Sequence, residues 1–251
     1  MNVIIITGTS RGLGESLARK LISKENLIFC ISRSSNEILR EKAKEENCYL
    51  KQIELDLTNL HEIEDKMDEI FKEIKIKISM LKTITLINNA GVVSPIKTIE
   101  KCTSDEIINN LSVNTMAPMI LSSKFIQNLM DFEGEKRIIN ISSGAGKHPY
   151  HGWSCYCSSK AAIDLFTQCV GMEQEAAKYP TKILSFGPCI IDTNMQAQIR
   201  QSSESDFMQI ERFIGFKEKG LLREPSYVAE KVIELIFSKE FKQGGVIDIN
   251  N

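Results

Sequence analysis

Short runs of apolar, β-branched residues alternate along this chain with longer stretches in which apolar positions recur every three or four residues. The runs VIIIT (3–7), LIFCIS (27–32), YLKQIEL (49–55), TITLINN (83–89), KRIINIS (136–142), TKILSF (181–186) and GVIDI (245–249) predict seven strands. Several are apolar at nearly every position, as strands buried on both faces of a parallel sheet must be. Helical spacing covers 12–24, 60–74, two segments within 104–130, then 156–178 and 226–238. This alternation predicts an α/β fold: a doubly wound, seven-stranded parallel sheet with helices on both faces. No repeat or Pro/Gly-rich linker divides residues 1–251, so one domain is expected. Within it, 194–220 mixes charged and apolar residues and reads as a helical flap. Ligands on such sheets bind beyond the carboxyl ends of the strands, where the strand order reverses. Residues that carry chemistry should therefore follow strands.

Composition removes several classes of function. With 251 residues, 42% hydrophobic and 25% charged, the chain is an ordinary globular protein. A net charge of -2 offers no basic field for nucleic acid or an anionic membrane. No apolar run approaches the ~20 residues that span a bilayer. The chain opens MNVIIITG, directly on a strand, without the features of a secretory leader. Seven cysteines, an odd number at irregular spacing, read as reduced thiols, and a cytoplasmic location is expected. Cys155, Cys157, His148 and His151 lack the further partners that a metal site needs, so no metal is expected.

The first strand leads into TGTSRGLGESLARKL. Gly8, Gly12 and Gly14 stand between a strand and an amphipathic helix, where glycines permit a tight turn and close backbone approach to a diphosphate. The spacing is G-x3-G-x-G rather than G-x-G-x-x-G, and the strand–loop–helix context favours cofactor binding over a plain turn. In NAD-binding versions an acid near the end of the second strand accepts the ribose 2′-hydroxyl. This strand ends CISRSSNE, with Arg33 in that place and Arg11 available from the glycine loop. A guanidinium binds a 2′-phosphate through two hydrogen bonds, which predicts NADP(H). The alternative is two solvated surface arginines. Further along, Tyr156 and Lys160 lie four positions apart, on one face of a helix.

With TGTSRGLG, LINNAG (86–91), INISSGAG (139–146) and YCSSK (156–160) in this order, the chain resembles the short-chain dehydrogenase/reductase family, from Thr7 to the last strand. GWSCYCSSKAA, DTNMQ (192–196) and GGVIDIN look most like its sepiapterin reductase and benzil reductase branch. The resemblance implies a Rossmann-type fold and a catalytic tetrad. Tyr156 would protonate a carbonyl oxygen, and Lys160 would lower the tyrosine pKa and hold the nicotinamide ribose. Ser143, rather than its neighbour Ser142, would hydrogen-bond the substrate carbonyl. Asn114 would hold a water linking Lys160 to solvent. The cofactor contacts implied are Gly8, Ser10, Arg11, Gly12, Leu13 and Gly14 in the first loop, then Arg33. Asp56 and Leu57 after the third strand would meet adenine, with Asn88, Ala90 and Gly91 near its ribose. Ile191 and Thr193 would reach the carboxamide and phosphate. One departure stands out: the family's Pro-Gly after the sixth strand is Pro188-Cys189 here, and cysteine tolerates positive φ less readily than glycine.

For the substrate pocket, Trp153 reads as an aromatic wall, with Tyr150, Met195, Met208 and Phe213 either joining it or packing as ordinary core. Asp248 aligns with the carboxylate that anchors a pterin in sepiapterin reductases, or is simply an acid at the end of an edge strand. The implied reaction is NADPH-dependent reduction of a compact dicarbonyl, such as an aryl 1,2-diketone or a pterin. The alternatives are a 3-oxoacyl thioester reductase and a non-catalytic NADP sensor. The family also implies a homodimer or homotetramer, paired through helices in 104–130 and 156–178.

Overall fold

Alternate side chains of the first strand, β1 (Asn2–Thr7), enter two different cores, as a period of two requires of a strand covered on both faces. Val3 and Ile5 pack into one, Ile4 and Ile6 into the other, each at most 1% exposed. The computed structural model describes residues 1–249. The remaining strands are β2 (Asn26–Ser32), β3 (Tyr49–Glu54), β4 (Thr83–Asn88), β5 (Glu135–Ile141), β6 (Lys182–Gly187) and β7 (Gly245–Asp248). All pair in parallel, in the order β3-β2-β1-β4-β5-β6-β7. The order reverses between β1 and β4, and the crevice that the strand pattern predicted opens there.

Helices α1 (Gly12–Leu21), α2 (Glu37–Glu45) and α9 (Pro225–Phe237) cover the face that holds Ile4 and Ile6. The other face is covered by α3 (Leu60–Ile76), α5 (Ala117–Asn128) and α6 (Ser154–Glu175). Along α3, Ile63, Met67, Ile70, Phe71 and Ile74 make the buried stripe, and Phe71 meets Phe125 edge-on at 6.1 Å. Burial of each such side chain contributes about 1.5–3 kcal/mol. Between β4 and α5 lies α4 (Ser104–Leu111), whose first turn is closed by reciprocal bonds between Thr103 and Glu106. It continues into a π-helical turn, Ser112–Met116. The flap expected at 194–220 consists of α7 (Asn194–Ile199) and α8 (Ile210–Glu218) with a loop between them.

The strand reading holds throughout, but α2 was not anticipated. It buries only Leu39 and Ala43, so its apolar stripe is too thin to show above its charges. Asn36 starts it by accepting a hydrogen bond from Leu39 N at 3.3 Å.

Candidate active site

The loop after β1 is built by its glycines. Gly8 and Gly12 take φ of +75° and +63°. A Cβ on Gly14 would lie 2.2 Å from the Gly8 carbonyl oxygen, so the helix can start this close to the strand only without one. The loop is tied to the segment after β4: the Asn89 and Ala90 N–H groups donate to Thr7 Oγ1 at 3.0 Å, and Asn89 Nδ2 donates to Thr7 O at 2.9 Å. The two loops border a cavity of about 1270 Å³ beyond the strand ends.

Towards β2 and β3 the cavity is lined by Arg11, Arg33, Asp56 and Leu57, together with Arg19. The Thr58 backbone N–H holds the Asp56 carboxyl below its usual pKa, helped by the Thr58 hydroxyl and the nearby charge of Arg33. Gly8, Ser10, Gly12, Leu13, Ala90, Gly91, Ile191 and Thr193 also reach the cavity. Asn88 lies beneath it. Only 3% exposed, it donates to Asn140 Oδ1 at 2.8 Å and Ser122 Oγ at 3.2 Å, while its neighbour Asn89 lines the wall.

At the other end, Ser143 follows β5 and accepts from Ala145 N at 3.2 Å, starting a tight turn, Gly144–Gly146. Its hydroxyl lies near enough to the Tyr156 phenol, in the first turn of α6, to favour the phenolate. Lys160 lies one turn further on. Its Nζ donates to the Ile141 carbonyl at 2.9 Å and sits 5.8 Å from the centre of the Tyr156 ring. Asn114, in the π-helical turn, donates to Val92 O at 2.7 Å and Ser159 Oγ at 3.1 Å and accepts from Val92 N at 2.9 Å. A Cβ on Gly91 would fall 3.3 Å from Asn114 Oδ1 and 3.7 Å from Lys160 Nζ, which gathers these groups around one glycine.

Burial sets the electrostatics. It pushes the Tyr156 phenol up to about 12, against a smaller lowering from Ser143. It pushes the Lys160 ammonium down to about 8, against the favourable charge of Asp164. Desolvation by burial thus dominates at both groups, and the Lys160 ammonium bonds a backbone carbonyl.

The pocket residues divide. Tyr150, Met195 and Phe213 line the cavity, but Met208 is 65% exposed and does not. Trp153 borders it yet is 4% exposed, stacked on Phe207 at 4.6 Å and edge-on to Phe213 and Tyr156 at 5.3 Å each. It holds the flap onto Tyr156 more than it forms an open wall. Asp248 lines the cavity, and its carboxylate is paired with Lys147 from the turn after Ser143. Sequence reasoning passed over Lys147 and Asn89, although both adjoin motifs it used. Cys189 borders the cavity with φ of +60°, so the backbone keeps a left-handed conformation with a side chain in place. Among the described residues, no three His, Cys, Asp or Glu side chains come together as metal ligands.

The model of the short chain dehydrogenase family matches residues 2–204. The chain belongs to that family. This short chain dehydrogenase is 46% identical over 250 residues to a benzil reductase ((S)-benzoin forming) of Bacillus cereus, with all of both chains covered. A sepiapterin reductase of Bos taurus is 27% identical, covering 97% of this chain and 92% of that protein. Among solved structures, the KRED1-Pglu enzyme superposes with a TM-score of 0.83 at 25% identity, covering 98% of this chain and 100% of that one.

Proposed function

We propose that this short chain dehydrogenase is a cytosolic, NADPH-dependent reductase of compact dicarbonyl compounds, with an aryl 1,2-diketone of the benzil type as substrate. The observation that carries the reading is the joining of Ser143, Tyr156 and Lys160 at one end of a cavity large enough for a dinucleotide and a small ketone. The substrate assignment leans on the 46% identical benzil reductase.

The residues present fit a nicotinamide dinucleotide. Gly8, Gly12 and Gly14 leave room at the start of α1, where free N–H groups and the helix dipole favour a diphosphate. Arg11 and Arg33 would hold a 2′-phosphate, and Lys160 would reach the nicotinamide ribose. The bound cofactor supplies a hydride. Ser143 and Tyr156 orient the ketone by donating to its carbonyl oxygen. As that oxygen gains negative charge, Tyr156 gives up its proton to it. The Lys160 ammonium stabilises the phenolate left behind, which burial otherwise disfavours so strongly. Asn114, fixed on both sides of its amide, holds the segment beside Lys160 through which a proton returns. The aromatic cluster of Trp153, Phe207 and Phe213 excludes water above Tyr156.

The pterin reading draws on the sepiapterin reductase relative and on Asp248 at the cavity wall. Lys147 already engages that carboxylate, which favours the diketone. A thioester reductase would want an open acyl groove where the flap packs, and a sensor has no need of a Ser143–Tyr156 pair. The second-copy contact implied by the family would use the exposed stripe of α6.

The test is NADPH consumption with benzil and with sepiapterin in parallel. Benzil is expected to be reduced efficiently and sepiapterin poorly, and Tyr156→Phe to lose about 100-fold or more of turnover while still binding NADPH. Tight NADPH binding without benzil reduction would overturn the substrate class.

A further inference from the structure

One buried ionisable group takes no part in the steps above. Asp164 lies one turn beyond Lys160 on α6, so that Tyr156, Lys160 and Asp164 succeed one another on a single face at four-residue spacing. Asp164 is 8% exposed and accepts a hydrogen bond from Ser185 Oγ on β6 at 2.5 Å. No lysine or arginine among the described residues forms a salt bridge with it. Lys160, 5% exposed, likewise touches no carboxylate, and its hydrogen bond goes to a backbone carbonyl. A lone buried charge is costly, so two opposite ones a turn apart, each without another counter-ion, offset one another.

The turn that begins at Ser143 packs directly on this pair. A Cβ on Gly146 would fall 2.8 Å from Asp164 Oδ2 and 2.9 Å from the Lys160 carbonyl carbon. The other groups around them are accounted for. Ile141 faces Lys160 from β5 with its carbonyl, and Asn114 approaches it from the π-helical turn as a neutral amide. From β6 comes the Ser185 hydroxyl, and on α6 itself Tyr156 and Cys157 are neutral at working pH. Lys147 at the end of the turn and Asp248 on β7 are paired with each other. Asp164 is thus the one charge that favours the ammonium form of Lys160 against its burial.

We propose that Asp164 is a positioning residue, which keeps Lys160 protonated and in place beside Tyr156 across the working pH range. This rests on the role of Lys160 given above. With the carboxylate neutralised, Lys160 loses its proton at lower pH, and the alkaline limb of kcat moves to lower pH.

The test compares wild type with Asp164→Asn and Asp164→Ser, as NADPH-saturated enzyme with benzil across the alkaline range. In parallel, the Lys160 Nζ is titrated by carbon NMR of lysine-labelled protein, assigned with Lys160→Arg. Both the kcat limb and the NMR midpoint are expected to fall by about one pH unit or more. KM for benzil should change less than about threefold, since Asp164 does not line the cavity. Ser185→Ala keeps the charge, so it should lower thermal stability and leave both midpoints in place. A folded Asp164→Asn or Asp164→Ser protein whose Lys160 midpoint matches wild type would make Asp164 a structural acid only. Absence of benzil turnover in wild type would overturn the substrate assignment instead, and the NMR midpoints would still decide the role of Asp164.

Discussion

An arginine at the end of β2 can meet a ribose 2′-phosphate with two parallel N–H donors, where a carboxylate would repel it. Arg33 lines the cavity close enough to Asp56 for its charge to be felt there, and Arg11 approaches from the glycine loop. A charge-assisted hydrogen bond contributes roughly 1.5–3 kcal/mol, which corresponds to about 10–100-fold. Arg33→Ala should therefore lower kcat/KM for NADPH by about that factor while kcat/KM for NADH changes less than threefold or so. Steady-state kinetics with both cofactors measure it, and equal losses would remove Arg33 from cofactor choice. Residue identity marks this position in the sequence itself: Arg33 stands where NAD-binding versions carry an acid. Cys189 stands out in the same way, and its φ of +60° is the left-handed conformation that a glycine adopts more freely. What one letter could not show was solvation. The Tyr156 and Lys160 pKa directions follow from burial, which depends on every element packed around them.

At the scale of elements, β1 and β2 were readable because they are buried on both faces and so almost wholly apolar, whereas the edge strand β3 is half-exposed and carries Lys51 and Gln52, and α2 hides its two core residues among charges. Glycines of the loop after β1 and of the turn after β5 separate position from residue type further. Gly14 faces backbone, Gly12 faces mostly open space at positive φ, and Gly144 meets nothing within 4 Å. Alanine should accordingly cost about 2–3 kcal/mol at Gly14, through overpacking against a carbonyl that cannot move. At Gly12 the cost should be about 1–2 kcal/mol, from backbone conformation alone. At Gly144 it should lie within about 0.5 kcal/mol of zero. Thermal unfolding of the three variants gives the order, and NADPH titration should fail first for Gly14→Ala. A Gly144→Ala protein as unstable as Gly14→Ala would contradict this ranking of the glycines. Sequence alone marks all three as glycines of motif segments, and only the approach of neighbouring backbone ranks them.

For the whole molecule, the open question is what covers the outer side of α6. Leu165 and Met172 are 61% and 73% exposed, with exposed Cys169 between them, so the three form one stripe along the helix. Ile108 on α4 and Met116, the last residue of the π-helical turn, are also exposed, at 60% and 46%. Exposed apolar side chains grouped in this way mark an interaction face, and the second copy proposed above would meet it through the same helices. None of Leu165, Cys169 or Met172 lines the cavity, so association and chemistry can be separated by mutation. Wild type should sediment as a dimer or tetramer at micromolar concentration. Leu165→Glu combined with Met172→Glu places like charges across a two-fold contact and should give monomers that still bind NADPH. A monomeric wild type would leave the stripe without a second copy. An associated double variant would move the contact to another face.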